Sequence, residues 1–210
     1  MSISPSATKN ESEFRRADEN DDALFYGQPR FVTHIEPATI GAVTQLYREI
    51  LPSGGAILDL MSSWVSHLPP EMRFSRVAGL GMSEAELAAN PVLDDFRVQN
   101  LNRNSALPFA DAQFDAATIC VSIQYLTSPV TVMRELGRVL QTGAPLIITF
   151  SNRCFPTKAT LAWRSTDDFG HLELVEKYLQ SAGNWSDIKK LNRTPKPSRE
   201  PLLAVVARRA

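Results

Sequence analysis

Residues 52–61 read PSGGAILDLM, a turn followed by a short apolar run that carries one acid near its end. Proline and glycine at this point end a preceding helix. An apolar run of this length after turn residues is typical of a strand that is buried on both faces of a parallel sheet. Ligands bind at the carboxyl ends of such strands. The stretch therefore predicts an α/β fold with Asp59 beside a binding site.

Strand and helix signals alternate along the rest of the chain. The predicted strands cover residues 56–61, 76–82, 96–101, 114–122, 146–150, 185–191 and 202–207. The predicted helices cover residues 39–51, 129–140 and 171–182, with one more between Ser83 and the Asn90-Pro91 pair. Ser83 and Glu86 have the spacing of a capping box, which marks the start of that helix.

This order predicts an α/β protein with a seven-stranded, mostly parallel sheet, helices on both faces and an antiparallel C-terminal strand. Alternating elements favour a parallel sheet because right-handed crossovers leave few other arrangements. The last two strands follow the last helix directly, which suits an antiparallel pair at one edge. Residues 1–22 are polar and predict a flexible N-terminal tail, and residues 23–210 are expected to form a single domain.

Composition narrows the classes of function. The chain has 22 basic and 23 acidic side chains, so a partner that presents a phosphate backbone, such as nucleic acid, is not favoured. No apolar segment has the length of a membrane span, and the polar N-terminus lacks a signal-peptide core. The cysteines Cys120 and Cys154 have no disulfide or zinc spacing. We therefore expect a cytoplasmic protein with a small-molecule ligand and no metal.

Five short motifs resemble the class I S-adenosylmethionine-dependent methyltransferase family, of the type 11-like kind, over about residues 35–152. They are AILDL at 56–60, VAGLGMS at 77–83, ALPF at 106–109, FD at 114–115, and RELGRVL at 134–140 with TG at 142–143. The resemblance implies the Rossmann-like methyltransferase fold, S-adenosylmethionine as cofactor and methyl transfer as the reaction.

The resemblance also implies where the cofactor binds, but with altered residues. The family has a glycine-rich loop after the first strand, whereas residues 61–66 read MSSWVS and contain no glycine. Gly81 stands where the family places the acid that binds the ribose, and Asn100 stands where an acid binds the adenine. Glu84, nearby, either substitutes for the ribose acid or serves as a charge at the N-terminus of its helix. The implied cofactor-binding residues are Asp59, Met61, Ser62, Ser63, Gly81, Met82, Asn100, Leu101 and Ser122. Ser62 and Ser63 either donate hydroxyls to the cofactor or cap a short helix.

Candidate residues for the acceptor side follow the fourth and fifth strands. They are Tyr125, Asn152 and Arg153, and Cys154 is either an acceptor thiol or a packed side chain. We expect Tyr125 to form a wall of the pocket because a phenol stays protonated at neutral pH. Before the first helix, the segment YGQPRFVTH at 26–34 is rich in aromatic and donor groups. By analogy with the family it is expected to close over the site as a lid.

Three functions fit these residues. The first is a methyltransferase that acts on a small molecule, for which alignment of the reactants matters more than a strong base. The second is a protein of this fold that has lost the cofactor and serves as a binding or regulatory partner, because fold does not dictate function. The third is a site for a different nucleotide-like or carboxylate ligand, contacted by the serines.

Overall fold

A computed structural model describes residues 13–210 and contains one seven-stranded sheet. The strands are β1 (Ala56–Leu60), β2 (Arg76–Gly81), β3 (Asp95–Val98), β4 (Ala116–Cys120), β5 (Pro145–Phe150), β6 (Trp185–Asn192) and β7 (Leu203–Arg209). The helices are α1 (Asp22–Tyr26), α2 (Pro37–Ile50), α3 (Glu84–Ala89), α4 (Pro129–Val139), α5 (Leu161–Arg164) and α6 (Asp168–Ala182), with a 3-10 turn at Ile123–Tyr125.

The order of the strands is β3-β2-β1-β4-β5-β7-β6. Strands β1 to β5 pair in parallel, and β7 is antiparallel to both of its neighbours. This confirms the predicted α/β class and the predicted antiparallel C-terminal strand. Strands β2 and β3 lie on one side of β1, and β4 and β5 lie on the other, so a crevice opens between the carboxyl ends of β1 and β4.

The two faces of the sheet carry separate cores. Ile57 and Ile147 face α2 and pack with Val43, whereas Leu58 and Ile148 face the other side and pack in one cluster with α4 and α6. Burial of each such side chain contributes on the order of 1.5–3 kcal/mol, so the helix–sheet layers dominate the stability. None of the helices within residues 13–210 is both long enough and apolar enough to cross a membrane.

The third strand is shorter than predicted. Strand β3 ends at Val98, because the side chain of Asn100 accepts a hydrogen bond from the Asn102 amide and closes a turn there. Residues 99–101 therefore belong to the loop that follows the strand.

The predicted cap of α3 is confirmed. The Ser83 hydroxyl accepts a hydrogen bond from the amide of Glu86, as the capping-box spacing predicts.

The polar N-terminal segment differs from the predicted tail where the structure describes it. Lys158, fully buried, binds Asp18 at 3.0 Å and Asp22 at 3.2 Å, and Arg16 binds Asp22 at 2.5 Å. Residues 13–22 are thus held against the domain by ion pairs, which the polar composition alone does not reveal. The remaining tail residues, 1–12, lie outside the described part of the chain.

Candidate active site

A cavity of about 290 Å³ lies at the carboxyl ends of β1 to β5. Each strand end contributes to it, and so does the segment before α2, through Asp22, Tyr26, Arg30 and His34. All of the predicted cofactor residues except Asp59 line this cavity: Met61, Ser62, Ser63, Gly81, Met82, Asn100, Leu101 and Ser122. The sequence motifs therefore converge on one site.

Asp59 contributes to the site indirectly, through hydrogen bonds to neighbouring hydroxyl groups. It is buried, and its two carboxylate oxygens accept hydrogen bonds from the Thr118 hydroxyl at 2.9 Å and the Ser62 hydroxyl at 2.6 Å. Burial raises the pKa of Asp59, although the hydroxyl donors act against the rise. Asp59 lines a second, smaller cavity of about 70 Å³ that shares Ser62 and Ser63 with the first. It therefore fixes the loop after β1 rather than facing the larger cavity.

The loop after β1 is held by side chains and by one backbone contact. The Ser62 amide donates to the carbonyl of Leu80 at 2.8 Å. Asn90 donates to the Ser63 carbonyl at 2.8 Å and to the Ser66 hydroxyl at 2.9 Å. Because the Ser62 hydroxyl already donates to Asp59, its proton is not free for the first of the two roles considered for it, donation to the cofactor. Within the described residues, the Ser63 hydroxyl has no partner and remains available.

Gly81 has no room for a side chain. A Cβ at this position would overlap the carbonyl oxygen of Ser62 and lie 3.2 Å from Leu87. The loop after β1 thus fills the space that an acid at the end of β2 would need. The expected substitute, Glu84, is exposed and does not line the cavity. Glu86, half a turn further along α3, lines it instead and accepts a hydrogen bond from the Arg30 amide at 2.7 Å.

The loop after β3 places amide groups at the cavity. The side-chain oxygen of Asn100 accepts from the Asn102 amide at 2.9 Å, which leaves its NH₂ group free to donate. Asn102 itself is fully engaged: it donates to Asp22 and to the carbonyl of Tyr125, and it accepts from the amide and hydroxyl of Thr127. Asn102 therefore ties the N-terminal segment to the loops after β3 and β4.

At the end of β4, a strained turn directs a hydroxyl to the cavity. Val121 has a φ of 48°, which is unfavourable for a β-branched residue and costs on the order of 1–3 kcal/mol. Hydrogen bonds from its amide to Thr149 (2.8 Å) and from Gln124 to its carbonyl (3.0 Å) hold it there. Ser122 follows, and its buried hydroxyl oxygen has no partner among the described residues. Strain of this kind is a feature of functional sites.

Of the residues predicted for the acceptor side, three line the cavity and one does not. Tyr125 lines the cavity, burial raises its pKa to about 12, and its hydroxyl accepts from the Phe155 amide at 2.8 Å. Arg153 also lines the cavity but pairs with Glu200 at 3.0 Å and Glu36 at 3.3 Å. Asn152 is exposed and lines neither cavity. Cys154 lines the cavity, and burial raises the pKa of its thiol.

Several lining residues were absent from the predicted site. Glu86 carries a carboxylate, Gln99 and Asn102 carry amides, and Asp22 lies in the segment predicted as a tail. The signal that could have indicated Gln99 and Asn102 is the run QNLNRN at 99–104, which is rich in side-chain amides directly after a strand. No local signal distinguishes Glu86 from Glu84.

Comparisons with known proteins agree with the methyltransferase-like fold. A family model described as a methyltransferase domain matches residues 63–148 and begins within the loop after β1. A demethylmenaquinone methyltransferase of Mycobacterium sp. (strain KMS) is 29% identical over 162 residues, which cover 68% of this chain and 60% of that protein. The match thus spans less than two thirds of this relative's length.

Solved structures share the fold at low identity. The [4+2]-cyclase SpnF has a TM-score of 0.59 and 16% identity, with 80% of both chains covered. Phosphoethanolamine N-methyltransferase 2 of Haemonchus contortus, solved with S-adenosyl-L-methionine, has a TM-score of 0.60 and 14% identity, covering 89% of this chain and 55% of that one. Strand order, the matching domain model and the shared architecture agree: the chain has the Rossmann-like methyltransferase fold and is similar to methyltransferase domains over residues 63–148.

Proposed function

We propose that this protein is an S-adenosylmethionine-dependent methyltransferase that acts on a small-molecule acceptor. The observation that carries the proposal is the cavity that spans the ends of all five parallel strands. Its buried Ser122 hydroxyl has no partner among the described residues, and an unpaired buried polar group is costly unless a ligand or water satisfies it. The names of related methyltransferases support the same reaction class.

The residues present fit the cofactor through side-chain hydroxyl and amide groups, without a glycine-rich loop. Ser63 offers a free hydroxyl to the amino acid tail at the end of β1, and Asp59 acts only by fixing the loop. The free NH₂ group of Asn100 can donate to a ring nitrogen of adenine, and its oxygen keeps one lone pair for the exocyclic amine. Met61, Met82 and Leu101 supply the apolar walls.

Glu86 takes the position of the ribose acid in this proposal. Gly81 cannot be replaced by an acid without displacing Ser62, so a carboxylate has to come from another element. One oxygen of Glu86 accepts from the Arg30 amide, and the other remains available for the two ribose hydroxyls. Hydrogen bonds to a carboxylate are of the stronger, charge-assisted kind.

When bound, S-adenosylmethionine supplies an electrophilic methyl group on its sulfonium sulfur. The chain's own contribution is to align the acceptor, since correct approach of the reacting atoms supplies much of the rate. Tyr26, Arg30 and His34 line the cavity from the N-terminal segment, where they limit the access of water. Ser122 lies at the end of β4 and orients the acceptor. Asn152 is left out because it lies outside the cavity.

The non-catalytic alternative is not favoured. The strained Val121 turn lies beside an open cavity, as expected for a site that binds a small ligand. The fold alone does not decide the reaction, since the structural neighbours include a [4+2]-cyclase. Binding of S-adenosylmethionine is therefore the property that distinguishes a methyltransferase from the other functions of this fold.

Calorimetric titration of the purified protein with S-adenosylmethionine and S-adenosylhomocysteine tests the proposal. We expect both to bind with micromolar dissociation constants. Absence of binding to a folded sample would contradict the proposal and would favour a different ligand or a non-catalytic role. The exposed Glu84→Gln variant is a matched control and should bind as the wild type does.

A further inference from the structure

The two halves of the cavity differ in chemistry. The ends of β1, β2 and β3 present serine, glycine, methionine and amide groups, where the cofactor is proposed to bind. The half at the ends of β4 and β5 is aromatic. The rings of Tyr125 and Phe155 stack with centroids 5.9 Å apart and an interplanar angle of 29°. His34 meets Phe155 edge-on at 5.3 Å, and Tyr26 lines the same cavity. A planar ring is the ligand that such a wall fits.

Arg30 brings a positive charge to this aromatic half. Its guanidinium lies 4.5 Å from the centroid of Phe25 and 5.4 Å from that of Phe155, which places it at the β5 side. Its only hydrogen-bond acceptors among the described residues are the carbonyls of Phe25 (2.9 Å) and Gln28 (3.5 Å). An arginine has five N–H donors, so three remain free, enough for a two-pronged contact with an anion.

No carboxylate within residues 13–210 neutralises this guanidinium. Glu86 contacts the backbone amide of Arg30 and forms no ion pair with its side chain. The other arginine of the cavity, Arg153, is paired with Glu36 and Glu200. Asp22, which also lines the cavity, is bound to Arg16 and Lys158. Among the described residues that line the cavity, Arg30 is therefore the cation without a carboxylate partner, and it is available to a ligand.

We propose that the methyl acceptor is a planar aromatic molecule with an anionic group, which stacks against the Tyr125–Phe155 wall and pairs with Arg30. This inference rests on the proposed function and names its substrate class. In the transfer, an electron pair of the acceptor forms the bond to the methyl carbon, and the carbon–sulfur pair stays on sulfur. The proton displaced from the acceptor passes to water.

The anion could instead be the carboxylate of the cofactor, and position argues against this. The amino acid tail is proposed to bind at Ser63, after β1, whereas the guanidinium lies over the rings of Phe25 and of Phe155, which follows β5. The experiment has to distinguish the two sources. It therefore measures aromatic probes and S-adenosylhomocysteine on the same variants.

The probes are 4-hydroxybenzoate, its neutral analogue 4-hydroxybenzamide, and cyclohexanecarboxylate, titrated into the full chain saturated with S-adenosylhomocysteine. The wild type should bind 4-hydroxybenzoate about tenfold or more tightly than either analogue, because only it offers both the ring and the charge. Arg30→Gln should remove the preference over the amide and leave the affinity for S-adenosylhomocysteine unchanged. Arg48→Gln, which removes an arginine paired with Glu71 on the surface, is the matched control and should behave as the wild type.

Phe155→Leu is the second variant, and it should lose the preference over cyclohexanecarboxylate but keep the preference over the amide. Equal binding of 4-hydroxybenzoate and 4-hydroxybenzamide by the wild type would overturn the inference. So would a loss of S-adenosylhomocysteine affinity in Arg30→Gln, which would assign the guanidinium to the cofactor.

If S-adenosylhomocysteine does not bind at all, the proposed function fails. The probe preferences, measured without it, then still decide whether Arg30 forms an anion site. If Arg30→Gln does not fold, Arg30→Lys keeps the charge and should retain the preference over the amide, whereas its loss would count against the inference.

Discussion

The carbonyl oxygen of Ser62 occupies the space that a side chain at Gly81 would require. The Ser62 amide also donates to Leu80, so the loop after β1 lies directly on the end of β2. An acid at position 81 and the present loop are therefore mutually exclusive. The position of the loop after β1 therefore explains why no acid stands at position 81.

Gly81→Asp should destabilise the protein and should not improve cofactor binding. The added Cβ forces the backbone of Ser62 away, and overpacking of this kind costs about 1–3 kcal/mol. Urea unfolding measures the loss, and Gly41→Asp is the control because a Cβ at Gly41 meets nothing within 4 Å. A Gly81→Asp variant as stable as Gly41→Asp, with tighter binding of S-adenosylhomocysteine, would refute the relationship.

Glu86→Gln should weaken binding of S-adenosylhomocysteine by about tenfold or more. A hydrogen bond to a charged group contributes about 1.5–3 kcal/mol, and the amide keeps the contact with the Arg30 amide while losing the charge. Titration calorimetry measures the change. Glu84→Gln on the same helix is exposed and should leave the affinity as it is. Equal effects of the two substitutions would show that Glu86 does not bind the ribose.

Lys158→Met should destabilise the protein by about 3 kcal/mol. The substitution removes a cation from the buried Asp22 carboxylate, and breaking one partner of a buried pair is costly. Hydrogen exchange should also become faster in residues 13–27, which this cluster holds against the domain. Lys190→Met is the control: Lys190 is partly exposed and pairs with surface acids, so its loss should cost no more than about 1 kcal/mol. Unchanged exchange in Lys158→Met would argue that the segment is held by other contacts.

Stability should fall as pH decreases below about 6.5, and His171 should contribute to the fall. Its ring is buried and stacks on Trp163 at 3.8 Å; burial lowers its pKa, opposed by the Trp163 carbonyl and by Asp168 and Asp167. The unfolded chain therefore binds a proton at a higher pH than the folded one. The stability contributed by neutral His171 is present above about 6.5 and is lost as pH falls.

His171→Gln tests this, because glutamine can donate to the Trp163 carbonyl without titrating. Urea unfolding at pH 7 and at pH 5.5 should show a smaller loss of stability in the variant. A dependence on pH will remain, since burial also lowers the pKa of His34 and His67. An identical loss in both proteins would mean that His171 is not the source.

Much of the fold follows from sequence because strands and helices differ in apolar period. The run at 56–61 and the run at 114–122 are found as β1 and β4, side by side and parallel. The predicted strand at 96–101 extends too far, because Asn100 closes a side-chain turn that an apolar pattern does not register. The N-terminal segment is polar, yet its acids are partnered by Lys158, more than a hundred residues away in sequence.

The site was predicted less completely, for two physical reasons. Ser62 and Asp59 were both expected to meet the ligand, but they satisfy each other, which depends on the loop conformation. Which acid of α3 faces the cavity depends on how the helix is rotated on the sheet, and this is a tertiary property. The sequence offered Glu84 as a substitute in only one of its two roles, and the packed structure presents Glu86 instead.

The crystal structure of the protein with S-adenosylhomocysteine tests the central claim most directly. The account predicts density for the ligand across the ends of β1, β2 and β3, with its amino acid tail at Ser63, its ribose at Glu86 and its adenine at Asn100. A ligand bound elsewhere, or a cavity without ligand in crystals grown at saturating concentration, would contradict the claim that this loop without glycine forms a cofactor site.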